Sequence, residues 1–262
     1  MVVEEAAVTL PAPPTARSTA LGAGLLAGQL LTSVLLVVST GGLLDVMVSF
    51  EPPQVSQDGS FAFVAGAGIW FSAEAGMLPV LLVTGAVLAW RAVRASRGAL
   101  SAHAASTLHW VAVSQSLGIT IVIVALLNGV TAAATIVALY ALAAGSGMLG
   151  WLSDRASRHD GSRGHLWPYA FLTVIAIVPW GVVALVQVTG IVVGAPASEG
   201  VRVTTLVVLA ATVLWAVAEW AIARPAGIAR DPARAATLRV ASSAALASIP
   251  AGAVVALGVL GG

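Results

Sequence analysis

Long runs of apolar residues dominate the chain, and short polar segments separate them. A helix needs about 20 apolar residues to cross a bilayer, because unpaired backbone groups are not tolerated in hydrocarbon. Seven segments meet this length, and each is predicted to form one membrane-spanning helix: Thr19–Val48, Phe63–Trp90, Leu108–Asn128, Thr131–Leu152, Leu166–Thr189, Val203–Ala223 and Ala236–Leu260. No segment alternates polar and apolar residues with period two, so the pattern predicts an all-α membrane protein.

The stretch before the first span has a different character. It is rich in proline and carries Glu4 and Glu5, but it lacks the basic start and cleavage site of a signal peptide. We therefore predict a disordered tail over residues 1–18 and a seven-helix transmembrane domain over residues 19–262.

The arginines orient the predicted bundle. If the seven spans alternate in direction, 11 of the 12 arginines fall at one end, and only Arg202 lies at the other. Cytoplasmic loops collect basic residues. The distribution predicts a cytoplasmic N-terminus and an extracellular C-terminus.

Composition narrows the possible functions. Only 9% of the residues are charged, against about 25% in a soluble domain. The net charge of +1 argues against a nucleic-acid partner. The chain has no cysteine, so it has no thiolate metal site, and no nucleophile beside a base is recognisable in the sequence. We therefore expect neither an enzyme nor a metal site. The bias towards Ala, Val, Gly and Arg suggests a bacterial plasma-membrane protein.

Two acidic residues lie well inside predicted spans, where a carboxylate is a functional candidate. Glu74 is expected about a third of the way along the second span, either lining a polar cavity or hydrogen-bonded as a neutral acid. Glu219 is expected near the cytoplasmic end of the sixth span, one turn from Arg224, with its carboxylate near water. Ser116 belongs to a polar stripe on the third span, which is more typical of contacts between helices.

Several motifs resemble those of heliorhodopsins. The segments are Leu108–Ser116 (LHWVAVSQS), Met148–Asp154 (MLGWLSD), Ile177–Trp180 (IVPW) and Trp215–Trp220 (WAVAEW). Their order and the predicted topology agree with that family from about residue 100 to the end. Ordinary microbial rhodopsins have the opposite orientation. The resemblance implies a seven-helix bundle of the microbial-rhodopsin/heliorhodopsin type and a homodimer.

The chain departs from this family at the residues that hold its chromophore. Heliorhodopsins bind retinal as a Schiff base on a seventh-span lysine, with a third-span glutamate as counterion. Here the lysine position falls at Ser243 or Ala244, and the glutamate aligns with Ala112. An imine needs a primary amine, and arginine cannot supply one. Because these 262 residues contain no lysine, we expect no covalent retinal.

These departures leave three hypotheses open. The first is a retinal-free signalling or regulatory protein, with a noncovalent lipid or apolar ligand, or a partner protein, as its input. Its candidate pocket would lie among the altered positions together with Ser116, Trp180, Trp215 and Glu74. The second is a transporter or channel for a small solute or ion, using Glu74 and the polar stripe. The third is a membrane scaffold that binds a cytoplasmic protein at its arginine-rich loops.

Overall fold

The computed structural model describes residues 16–50, 53–55, 61–63, 67–159, 167–224 and 231–261. Within them, seven helices are long and apolar enough to cross a membrane, which confirms the predicted number. The helices are α1 (Ala16–Thr40), α2 (Ala73–Ser96), α3 (Ala102–Leu127), α4 (Ala133–His159), α5 (Trp167–Val192), α6 (Glu199–Ala223) and α7 (Pro232–Gly261). Four short strands lie between α1 and α2: β1 (Asp45–Ser49), β2 (Pro53–Val55), β3 (Phe61–Phe63) and β4 (Gly68–Ser72).

The outer ends of the first two predicted spans are wrong, because both are strands. β1 pairs with β4 and β2 pairs with β3, each pair antiparallel. Gly41 and Gly42 end α1, since both adopt the positive φ that side chains disfavour. A Cβ on Gly42 would also lie 2.2 Å from the Cβ of Ser72, so the turn can pass β4 only without a side chain.

Serine and aspartate side chains start several helices. Ser72, Ser101 and Ser198 each accept a hydrogen bond from the backbone N–H three residues later, at the starts of α2, α3 and α6. At α7, the Oδ1 of Asp231 accepts from two backbone N–H groups, and Pro232 occupies the first helical position. These caps satisfy donors that would otherwise have no partner at a helix N-terminus.

The helices alternate in direction, which gives the bundle two ends. At one end, the parallel bridge between Ser49 and Ala132 joins β1 to the start of α4, and the side chain of Asn128 donates to Thr205 near the start of α6. We call this the strand end. The opposite end is the arginine end, where α2, α4 and α6 finish and α3, α5 and α7 begin.

The core centres on α3, which packs against α2, α4 and α7. In its most apolar 18-residue window, 72% of the residues are buried, against 11% for α1. The bounds of α3 to α7 differ from the predicted bounds by at most seven residues, and Ala16 already begins α1. The predicted tail up to residue 15, together with Arg163 and Arg230, lies outside the described residues.

Candidate functional site

A serine of α7 contacts a histidine of α3 in the half of the bundle nearer the arginine end. The Oγ of Ser243 lies 3.2 Å from the Nδ1 of His109, and both side chains are buried. The same hydroxyl donates to the backbone carbonyl of Arg239, one turn earlier on α7. This contact makes a polar link between α3 and α7.

The other face of the histidine meets a buried carboxylate on α6. The Nε2 of His109 and the Oε1 of Glu219 are 3.1 Å apart, although they are not aligned for a hydrogen bond. The second carboxylate oxygen of Glu219 accepts from the Nε of Arg239 at 3.1 Å and lies 3.1 Å from its Nη2. Glu219 is only 1% exposed, so the expectation of a carboxylate near water is wrong.

A second carboxylate, on α4, completes this group. Asp154 accepts hydrogen bonds from Ser106 and, at 3.4 Å, from the Nε1 of Trp110. Its Oδ2 also lies 3.9 Å from the Nη1 of Arg239. We refer to His109, Asp154, Glu219 and Arg239 as the ionic cluster. The cluster joins α3, α4, α6 and α7.

Arg91 of α2 lies within electrostatic range of the ionic cluster. It is 3% exposed, and its Nε and Nη1 have no hydrogen-bond partner in the part of the chain that the structure describes. With Arg91, two guanidinium groups stand against two carboxylates, so the site is close to electroneutral when the histidine is neutral. Buried charges survive only when they are balanced in this way, because each one has lost its hydration.

The positions that the resemblance assigns to the chromophore are filled by packed side chains. Ala112, Ser243 and Ala244 are 3%, 5% and 8% exposed, and Trp215 is 4% exposed. Trp215 packs edge-on against Trp110, with ring centroids 6.3 Å apart. Among the described residues, these side chains therefore leave little surface for a second molecule to contact.

The two candidate lysine positions face different neighbours. Ser243 contacts α3, whereas Ala244 lies beside Gly22 of α1, where an added Cβ would be 3.9 Å from that of Ala244. Because α3 and α7 run in the same direction, the α7 residue level with Ala112 lies about one turn beyond Ser243. Ala247 occupies that place and is fully buried.

Two further pocket residues lie deeper in the bundle. The hydroxyl of Ser116 is 3.1 Å from that of Thr84 on α2, so it links two helices, as expected of the polar stripe. Trp180 lines a cavity of about 20 Å³ together with Thr120, Thr212 and neighbouring apolar residues. That volume corresponds to about one water molecule.

Glu74 belongs to the strand end and lies outside the ionic cluster. It occupies the first turn of α2 and is 1% exposed, so its expected place a third of the way along the span is wrong. The cause is the late start of α2, after β4. The carboxylate accepts hydrogen bonds from the backbone N–H groups of Leu43 and Leu44, at 3.2 and 3.4 Å. Glu74 therefore holds the turn after α1 against α2.

The expectation that no nucleophile lies beside a base is also wrong, because Ser243, His109 and Glu219 stand in a row. Serine hydrolases use such a row, but they also need donors for an oxyanion next to the serine. The described polar neighbours of the Ser243 hydroxyl are an imidazole and a backbone carbonyl, which supply no such pair. We therefore interpret the row as a packing contact between helices.

The pairing of His109 with Glu219 was not anticipated from the sequence. The two residues are 110 positions apart, and neither belongs to a recognisable motif for ion pairing. One signal was present: His109 lies near the start of an odd-numbered span and Glu219 near the end of an even-numbered one. Both therefore lie at similar depth near the same end.

Comparison with known proteins supports the motif-based resemblance. The sequence model of the family described as Heliorhodopsin matches residues 61–231, more than half of the chain. The match begins earlier than the motifs suggested and stops before α7, so the lysine positions discussed above rest on the motifs alone. No curated protein matches the chain. On the basis of the family match, the chain belongs to the heliorhodopsin family.

Proposed function

We propose that this chain is a regulatory membrane protein that works without retinal. In it, the ionic cluster links the third and seventh helices, as the ion pair of the chromophore does in the family. The observation that carries the proposal is the row from Ser243 through His109 to Glu219. In the family, a lysine and a glutamate connect the seventh and third spans. Here a hydroxyl and an imidazole connect α7 and α3, and the imidazole extends the link to α6.

The chemistry of the vacated positions supports a role without covalent retinal. Hydroxyl and methyl side chains cannot form an imine, and no residue of the 262 is lysine. The small cavity beside Trp180 gives little room for a noncovalent retinal-sized ligand. We propose that a lipid or a small apolar molecule could bind there only if the helices around Trp180 move apart, because the cavity has room for about one water molecule.

The position of the ionic cluster supports a regulatory role. Glu219 and Arg239 lie on consecutive helices that pack together, and their contact joins a buried carboxylate to a partly buried guanidinium in the half of the bundle nearer the arginine end. A buried ion pair responds to any change in protonation or in a neighbouring charge by shifting its partners. Such a shift would change the relative positions of α6 and α7, and a soluble partner at the arginine end would sense it.

The orientation that we propose for the protein in the membrane follows from the distribution of charge. Exposed arginines crowd the arginine end, whereas Arg202 lies near the start of α6, at the strand end. On that distribution we propose that the arginine end and the N-terminus lie inside. The bias towards Ala, Val, Gly and Arg supports the plasma membrane of a bacterium, and the family resemblance supports a homodimer. A transporter is less well supported, since the carboxylate of Glu74 is engaged by two backbone amides.

The first test concerns the chromophore. The purified full chain is incubated with retinal, treated with borohydride and analysed by intact-mass spectrometry. We expect no retinyl adduct and no absorption band at longer wavelength than that of free retinal. An adduct that survives denaturation would overturn the proposal.

The second test concerns regulation. Tagged wild-type protein and a Glu219→Gln variant are cross-linked in intact cells, and the captured proteins are compared. If the protein is a regulator, the set of cross-linked proteins should change in Glu219→Gln. It should stay unchanged in Glu199→Gln, which alters an exposed acid on the same helix. A scaffold would capture the same set in all three proteins, and ion or solute flux in proteoliposomes would indicate a transporter. Either result would refute regulation. Ser243→Ala replaces Glu219→Gln if the latter does not fold.

A further inference from the structure

Three helices end in the same arrangement of tryptophan and arginine. In each, an arginine follows a tryptophan by four residues, a spacing that makes them neighbours on one helix face. The pairs are Trp90 with Arg94 on α2, Trp151 with Arg155 on α4, and Trp220 with Arg224 at the end of α6. The guanidinium carbons lie 5.4, 5.5 and 4.2 Å from the ring centroids, within the range of a cation–π contact. We call these the Trp–Arg pairs.

All three Trp–Arg pairs lie at the arginine end, since α2, α4 and α6 run in the same direction. The arginines are exposed, and the tryptophans are only partly covered. Among the residues that the structure describes, no acidic side chain forms an ion pair with any of these three arginines. Three positive charges at one depth of the bundle are thus available to a partner outside the protein.

The stacking fixes which part of each arginine is available. The ring covers one face of the planar guanidinium, whereas the N–H donors project from its edge. That edge matches two oxygens of a phosphate in a bidentate arrangement. Tryptophan prefers the interface between hydrocarbon and headgroups. An arginine one turn beyond such a tryptophan, towards water, lies at the depth of the lipid phosphates.

We propose that the Trp–Arg pairs bind the phosphate groups of anionic phospholipids in the leaflet at the arginine end. Complementary charge supports this occupant, because an anionic leaflet attracts exposed basic side chains near its surface. A positive residue at a helix C-terminus also interacts favourably with the helix dipole. Arg97, which caps α2, can do that without an aromatic partner. The proposal requires the tryptophan-backed arginines to differ from arginines such as Arg97, and it does not depend on the regulatory role.

The experiment compares two triple variants with equal loss of charge. R94Q/R155Q/R224Q removes the arginines of the Trp–Arg pairs. R17Q/R97Q/R234Q removes three exposed arginines of the same end that stack on no tryptophan among the described contacts. Each full-length protein is reconstituted in nanodiscs of mixed phosphatidylglycerol and phosphatidylcholine. The phosphatidylglycerol that each protein retains on release is counted by native mass spectrometry.

We expect the first variant to retain severalfold less phosphatidylglycerol than wild type, and the second to stay near the wild-type value. A third variant, W90L/W151L/W220L, keeps the charges and should also lose retention, because the guanidinium groups are no longer held in place. Thermal unfolding shows whether each variant is folded. If both arginine variants lose phosphatidylglycerol equally, the retention comes from general charge attraction. If the first variant retains as much as wild type, the Trp–Arg pairs do not bind the lipid. Either result overturns the proposal.

Discussion

Removing the charge of Glu219 tests whether the ionic cluster holds the bundle together. In Glu219→Gln the side chain keeps its size but loses its negative charge. The change leaves the guanidinium of Arg239 with the more distant Asp154, whose Oδ2 is 3.9 Å from Nη1, and leaves His109 facing a neutral amide. Glu219 is 1% exposed and Arg239 is 15% exposed, so water can replace the lost carboxylate only in part.

The expected magnitude follows from this burial. Removing one partner of a buried ion pair lowers the free energy of unfolding by about 3–5 kcal/mol, because the remaining charge stays buried without compensation. Asp154 offsets part of this loss, so we expect Glu219→Gln to lower the free energy of unfolding by about 3 kcal/mol. The double variant with Arg239→Gln should be less unstable than the sum of the two single variants, since the two residues interact.

The measurement is equilibrium unfolding of the purified chain in mixed micelles, titrated with a denaturing detergent. Glu199→Gln is the matched control, because Glu199 is an exposed acid on the same helix, and its loss should cost less than about 0.5 kcal/mol. Equal stability of the two glutamine variants, or full additivity with Arg239→Gln, would refute the view that Glu219 is a buried, paired carboxylate.

Three further substitutions can be followed by the same unfolding measurement. Glu74→Gln weakens two hydrogen bonds from backbone amides to a carboxylate and should cost about 1–3 kcal/mol; no loss would mean that the turn after α1 is held by other contacts. Gly150→Ala places a Cβ 2.2 Å from the ring of Trp110 and should cost about 1–3 kcal/mol, whereas Gly145→Ala, with nothing within 4 Å, should be neutral or stabilising. If the two alanine variants are equally stable, the close approach of α4 to α3 is wrong. Asn128→Ala removes the side chain that bonds α5 and α6 to the end of α3 and should cost about 1–3 kcal/mol; a wild-type value would show that these bonds do not hold the three helices.

The number of helices was predictable because a membrane span can be identified from the length and apolarity of its segment alone. The outer end of the first span was not predictable by the same rule. Val46, Met47 and Val48 are as apolar as a membrane helix, but they form a strand paired with β4. The two glycines before them carry the relevant signal, since their positive φ ends α1. Hydropathy carries no information on backbone conformation, so the predicted span continued past the end of α1.

The candidate site was predictable only in part, for a related reason. The altered positions Ala112 and Ser243 could be found by matching motifs along single helices. The contact between His109 and Glu219 joins two helices far apart in sequence, and no local pattern encodes it. Glu219 was correctly placed near the end of its helix, but its burial depends on which helices pack around it. Burial is a property of the assembled bundle.

The packing of small residues between α3 and α7 has an evolutionary consequence. A lysine gained at Ser243 or Ala244 alone would add a buried cation without its third-span counterion, and a glutamate gained at Ala112 alone would add a buried anion without the lysine. Each single step would cost several kcal/mol, of the order of the total stability of many proteins. If the chain binds no covalent retinal, as we propose, a descendant could regain the pigment only by acquiring both changes nearly together while also widening the helix spacing. Under that proposal, the loss of the pigment would be difficult to reverse by one substitution at a time.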